Sequence, residues 1–349
     1  SRENMFYLTG LVCDPLERPL FLLIKPDGWP RFLVPALEAT HIQSKYIEAL
    51  VNVYREYPAP RGGGWSDRLP EFLEGVNHLG VESSLKMEQR SALRELNLHV
   101  LPLVERLRAV KSAAEIARIK RAADCAVYGV ERLLAASYYN SWVVEGFADT
   151  RRLMKKIMHV SPDFNPLLSK AVMGTWAAPR SAEPHSIPKL NDPLKSDAHI
   201  ALVLTSVAGY AAECERTYFT QRPDQEMKQY FQIMLAARKQ AFGMVRPGVR
   251  CSDIDATTRE FLEQQGVADK RLHRTGHGLG LAYHAEAPWI AEGSDEVLQP
   301  NMVISVEPGI YFPGKYGFRH SDTLRVTDAG YEHLTLCKDR LDDLLITRW

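Results

Sequence analysis

The sequence lacks any excess of charge. Its 43 lysines and arginines balance 43 aspartates and glutamates over 349 residues, so no net field draws it to nucleic acid or an anionic membrane, and small molecules or short peptides are the expected partners. Cysteine is scarce: Cys13, Cys125, Cys214, Cys251 and Cys337 are scattered and odd in number, which excludes a disulfide framework or a zinc knuckle and suits a reducing, cytoplasmic setting. No apolar run reaches membrane-spanning length, and the opening SRENMFYLTG has neither the basic end nor the long apolar stretch of a signal peptide. There is no short-period repeat and no low-complexity stretch, which excludes a solenoid. What is there, 45% hydrophobic and 25% charged residues, is the composition of a globular protein long enough for two domains.

The first hundred residues alternate short apolar runs with helical patterns. Phe21 to Ile24 and Phe32 to Val34 flank the turn Pro26-Asp27-Gly28 and predict a hairpin. Leu69 to Leu79 and Gln89 to Leu96 have helical spacing, giving a mixed α/β domain over 1–109. A second domain, 110–349, opens with Ser112 and Glu115 as a capping box, followed by one apolar face from Ile116 to Leu134. Another helix follows Pro223-Asp224. Strands are expected at Ile200 to Ser206, Tyr210 to Phe219, Met302 to Glu307 and Phe318 to Val326.

Five blocks carry residues capable of chemistry. YAAECERTYF (210–219) sets Glu213, Glu215 and Thr217 on one strand face; by itself such a pair is often an ordinary solvated edge. In RTGHGLGLAYHAEAP (274–288), Gly276, Gly278 and Gly280 bracket His277, with His273 and His284 on either side. Those histidines line a cavity or decorate a surface. MVISVEPGIY (302–311) ends an apolar strand on Glu307 and carries Tyr311; a buried carboxylate must be paired, protonated or bound to a cation. GFRHSDTLRV supplies Arg319, His320, Ser321 and Asp322, and Glu183-Pro184-His185 stands in a loop of proline and small residues. Cys214 alternates away from the glutamates as a buried thiol, and Arg216 and Asp322 read as structural ion-pair partners.

In order and spacing these blocks resemble the creatinase, aminopeptidase P and prolidase family, over Lys111 to about Thr327. The resemblance implies an α+β architecture, a pita-bread catalytic domain behind a smaller mixed α/β creatinase-type domain whose opening elements are missing here. It also implies a homodimer. The family's metallopeptidases hold two ions with two aspartates, a histidine and two glutamates, which fall here at Leu202, Glu213, His277, Glu307 and Ser321. Leucine cannot ligate, and a serine hydroxyl is a poor substitute for a bridging carboxylate.

The match to creatinase therefore sets the main expectation. It is a metal-independent hydrolase, without cofactor, of a carbon–nitrogen bond in a small guanidino, amidino or cyclic amide compound. The resemblance gives His185, Glu215 and Glu307 as catalytic residues, with His185 moving the proton and the two glutamates gripping the substrate cation. His273, His277, His284, Tyr311, Arg319 and Glu213 line the pocket. Creatine itself is not expected, because one carboxylate-gripping arginine of creatinase falls at Ala285, the other having a candidate in Arg18. The first alternative is an Xaa-Pro peptidase with one zinc, manganese or iron ion on Glu213, His277 and Glu307. The second is an inactive pita-bread domain that binds proteins.

Overall fold

The computed structural model describes residues 1–14, 16–26, 28–43, 47–284 and 286–347. The chain divides into two compact units, Ser1–Leu107 and Arg108–Trp349.

In the first unit, α1 (Arg2–Thr9) precedes the antiparallel pair β1 (Phe21–Leu23) and β2 (Arg31–Pro35), then α2 (Ala36–Gln43) and β3 (Leu50–Tyr54), which runs parallel to β2. The hairpin is where the sequence put it; Asp27 of its turn lies outside the described residues. Alternate residues of β2 feed two cores. Leu33 joins Trp65, Leu69 and Phe72, while Phe32 and Val34 join Leu11 and Ile42, so this sheet is buried on both faces. The helices α3 (Trp65–Phe72) and α4 (Met87–Ala92) are shorter than expected, because Leu79 and the residues after Leu96 belong to a parallel pair, β4 (His78–Val81) and β5 (Asn97–Val100). Gly75, at φ 75°, turns the chain out of the first of these helices. Helix α5 (Leu103–Ala109) leads to the second unit.

That unit opens with α6 (Ala113–Ala136), capped reciprocally by Ser112 and Glu115 as the sequence predicts. Next come α7 (Val143–Phe147), α8 (Thr150–Val160), β6 (Lys170–Trp176), β7 (His199–Val207) and β8 (Tyr210–Tyr218). Helices α9 (Gln225–Met244) and α10 (Cys251–Gln264) precede β9 (Gly276–Gly278), β10 (Glu286–Ile290), β11 (Val303–Val306), β12 (Gly309–Phe312), β13 (Tyr316–Arg319), β14 (Ser321–Val326) and β15 (Tyr331–His333). Among the described residues one sheet has the order β10-β9-β11-β14-β8-β7-β6, with β15 on β14.

Helices cover each half of that sheet. The buried face of α6 packs on β7 and β8, and Phe242, Val245, Cys251 and Ile254 from the α9–α10 region pack on Ile290, Ile304, Val306 and Leu324 of the other half. This is the pita-bread arrangement, with β8 and β14 joined at its centre. The single strand expected over Phe318 to Val326 is two: the residues before His320 pair with β12, and those after it pair with β11 and β8. That break turns Arg319 and Ser321 into neighbours of different strands. Among the described residues no helix is long and apolar enough to cross a membrane.

Candidate metal centre and active site

Strand register brings the candidate residues together. On β8, Glu213 and Glu215 share a face and both are buried. His277 is held in β9, opposite Ser305 of β11. Its flanking glycines are required by the closeness of the neighbouring backbone: a Cβ at Gly276 would stand 2.0 Å from the Ser305 carbonyl oxygen, and one at Gly278 2.1 Å from that of Ala287. Glu307 follows β11, its N–H donating to the Thr275 carbonyl at 2.8 Å.

Around His277 the geometry asks for a cation. Its Nδ1–H donates to the Gly278 carbonyl at 2.9 Å, which turns Nε2 towards two carboxylates: Glu307 Oε1 at 3.4 Å and Glu213 Oε1 at 3.7 Å. Fully buried, Nε2 finds no hydrogen-bond partner of good geometry among the described residues. Burial by itself disfavours the imidazolium, but Glu213 and then Glu307 outweigh it and lift the His277 pKa to about 9. In Glu307 burial pushes upwards and is overcome by His277, His273 and Arg319, so that its carboxyl lies well below the ordinary range. Two carboxylates and an imidazole are donors of a type that holds a divalent ion. Donors about 2.1 Å from a zinc-sized ion stand roughly 3.4 Å apart, close to the spacing from His277 Nε2 to each carboxylate, and a ring nitrogen tied to a carbonyl is how metal-ligating histidines are oriented.

Glu213 is fixed by two hydroxyls. Ser321 Oγ donates to its Oε1 at 2.9 Å, and Ser305 Oγ reaches the same oxygen. Ser305 escaped the sequence reading, although its spacing of two from Glu307 was an available signal. His284 Nε2 lies 3.9 Å from Glu213 Oε2, and Glu213, His277 and His284 offer ligand atoms all within 4.8 Å of one another.

A second group forms around Glu215. Register places it directly across from Leu202 on β7 and from Ser321 on β14, so the two positions that the family resemblance gives to missing ligands flank it on both sides. Both of its oxygens are taken by Arg319: Nη2 donates at 2.9 Å, and Nε donates to the other oxygen. Burial opposes the Arg319 charge, yet Glu215, then Tyr311 and Glu307, hold its pKa well above the ordinary value. Arg319 Nη1 donates to Tyr311 Oη at 3.3 Å, and the Tyr311 hydroxyl donates to His273 Nε2 at 2.7 Å. His273 Nδ1–H in turn donates to the Arg274 carbonyl at 2.8 Å, and burial lowers its pKa. All four polar groups are thus satisfied in one directed chain.

His185 is exposed, in the loop after Arg180–Ala182, and its ring meets that of His284 edge-on with centroids 6.4 Å apart. Arg216 and Asp322 pair at 2.7 Å on the other face of the sheet, with Arg238 2.8 Å from the same carboxylate. Cys214 is buried. Arg18 binds Glu56 at 2.6 Å within the first unit, and Ala285 lies outside the described residues.

Fold and site together define a pita-bread hydrolase with a carboxylate–histidine centre. Residues 117–328 match the model of metallopeptidase family M24, and residues 1–110 match the creatinase/prolidase N-terminal domain. The chain belongs to metallopeptidase family M24. A putative dipeptidase of Bacillus subtilis, YkvY, is 29% identical over 344 residues, covering 96% of this chain and 92% of that protein. Among solved structures, dipeptidase PepE from Mycobacterium ulcerans is 26% identical with a TM-score of 0.83, over 97% of this chain and 90% of that one. Prolidase from Pyrococcus horikoshii is 26% identical with a TM-score of 0.81, over 98% and 93%.

These findings overturn the expectation of a metal-independent, creatinase-like hydrolase without cofactor. The matching family is one of metallopeptidases and the similar proteins are dipeptidases and prolidases. The structure supplies the physical reason. A carboxylate needed to grip a substrate guanidinium, that of Glu215, is already occupied by the guanidinium of Arg319, and the buried lone nitrogen of His277 faces two acids.

Proposed function

We propose that this protein is a peptidase of short peptides, Xaa-Pro dipeptides among them, working with one divalent ion held by Glu213, His277 and Glu307. The observation that carries this reading is the buried Nε2 of His277, set between the Glu307 and Glu213 carboxylates at 3.4 Å and 3.7 Å with no well-aligned hydrogen bond among the described residues. Bound there, the ion supplies a Lewis acid for the scissile carbonyl and lowers the pKa of a water. The chain's own residues do the rest. Ser305 and Ser321 fix Glu213 through Oε1, and Arg319, locked by Glu215, offers a permanent positive charge beside the centre. It stands in the row where the resemblance gives a second ion its ligands and closes that row with a guanidinium–carboxylate pair between Leu202 and Ser321. Tyr311 and His273 orient the wall on that side. His185, exposed at the loop, carries protons between substrate and solvent.

Support for peptides comes from the relatives' names and from the balanced surface charge; the unpaired cysteines support a cytoplasmic location. The homodimer implied by the resemblance is read by sedimentation.

A strong chelator abolishes hydrolysis of a dipeptide panel, and zinc, manganese or ferrous iron restores it at one equivalent per chain, measured by elemental analysis alongside activity. Two equivalents at saturation, or full activity in chelator, refutes the one-ion reading. His185→Ala lowers kcat by about a hundredfold and leaves ion stoichiometry unchanged; unaltered kcat removes His185 from the reaction.

A further inference from the structure

Glu213 offers its two oxygens to different neighbours. Oε1 accepts from Ser321 and Ser305, whereas Oε2 faces the Nε2 of His284 at 3.9 Å. The His284 ring also packs against that of His277, centroids 4.3 Å apart. Glu213, His277 and His284 therefore form a cluster whose ligand atoms all lie within 4.8 Å of one another, and into it points the buried His277 Nε2, for which no well-aligned hydrogen bond is found among the described residues.

The loop that carries His284 is anchored. Glu286 Oε2 accepts the N–H of Ala282 at 3.0 Å and is held by Arg108 at 2.6 Å, while Lys111 stands 3.3 Å from Oε1. Ala282 and Glu286, two residues before and two after His284, are thus tied together by a buried carboxylate. The side chain itself is 52% exposed. It approaches from the solvent side, opposite in character to the fully buried His277.

We propose that His284 is a fourth ligand of the ion, so that this chain replaces with an imidazole the carboxylate that Ser321 does not provide. The inference rests on the one-ion reading above and adds to it a donor and a metal preference. Two imidazoles with two carboxylates form a set of intermediate softness, suited to zinc, ferrous iron or cobalt, and discriminating against magnesium and calcium, which take oxygen donors.

Cobalt(II) is the probe. Titrated into the full chain in competition with a chromophoric chelator, it binds the wild type at one equivalent with a visible ligand-field spectrum, and a large excess of magnesium does not displace it. His284→Ala binds about a hundredfold more weakly, since losing a direct donor costs at least as much as losing the partner of one, and its spectrum shifts. His284→Gly regains the wild-type spectrum when free imidazole is added. Circular dichroism of both variants matches wild type, because the side chain is half exposed. If His284→Ala keeps the wild-type affinity and spectrum while KM for a dipeptide rises, His284 binds substrate and the proposal is overturned, with the one-ion centre intact. If the wild type binds no cobalt, the one-ion reading itself falls.

Discussion

His277→Ala reduces kcat/KM for a dipeptide by at least about a thousandfold, equivalent to roughly 4 kcal/mol of transition-state stabilisation, and removes tight ion binding. The size follows from what the side chain does. It is the one imidazole among the three buried groups of the centre, and its nitrogen stands 3.4 Å and 3.7 Å from the two carboxylates. Without it, Glu213 and Glu307 face one another across a cavity with nothing between them to balance their charge. Glu307, whose carboxyl His277 holds below the ordinary range, then takes up a proton more readily, and a protonated carboxyl competes with any cation. Adding ions in excess does not rescue the variant, and its near-ultraviolet circular dichroism keeps the wild-type form because β9 is set by its glycines and ladder, not by the ring. Steady-state kinetics together with elemental analysis read the outcome. A variant that retains one tightly bound ion and near-normal kcat/KM places the centre elsewhere.

Glu215→Ala destabilises the second unit by about 3–5 kcal/mol, because it leaves the Arg319 guanidinium buried without its bidentate partner. The unfolding transition of that unit then falls by roughly 10 °C, and its urea midpoint falls in proportion. The double variant Glu215→Leu with Arg319→Met recovers most of that stability, since an apolar pair of similar volume in a buried site is often neutral. It does not recover hydrolysis. Stability and activity therefore separate: the pair as such is dispensable to the fold, while on the proposed function the Arg319 guanidinium is needed for hydrolysis. If Glu215→Ala is as stable as wild type, the guanidinium has another partner. If the double variant hydrolyses peptides normally, the Arg319 charge has no part in the reaction.

Much of this was legible in the sequence. The capping box at Ser112 and Glu115 and the apolar face behind it marked the start of the catalytic unit. Strand alternation put Glu213 and Glu215 on one face and Cys214 on the other, and a glutamate ending the apolar run 302–306 announced a buried charge that needed a partner. The short helices of the first unit were overread, because helical spacing at Leu69 to Leu79 continues by coincidence past Gly75 into β4. Phe318 to Val326 read as one strand, since periodicity has no means of marking the change of partner at His320.

The sequence by itself determined the two-unit architecture and the donors available to the centre, because these depend on residue type and local period, and the family resemblance added that two ligand carboxylates are replaced by Leu202 and Ser321. Only the tertiary structure decided what Glu215 is for. Its chemistry suits a substrate cation as well as an internal one, and the choice was made by register between strands more than a hundred residues apart in the chain: β8 against β14 sets Glu215 beside Ser321, and Arg319, just before the break, closes on it. No local pattern encodes that pairing. The same register leaves His277 facing Glu213 and Glu307, the three donors on which the proposed one-ion centre rests.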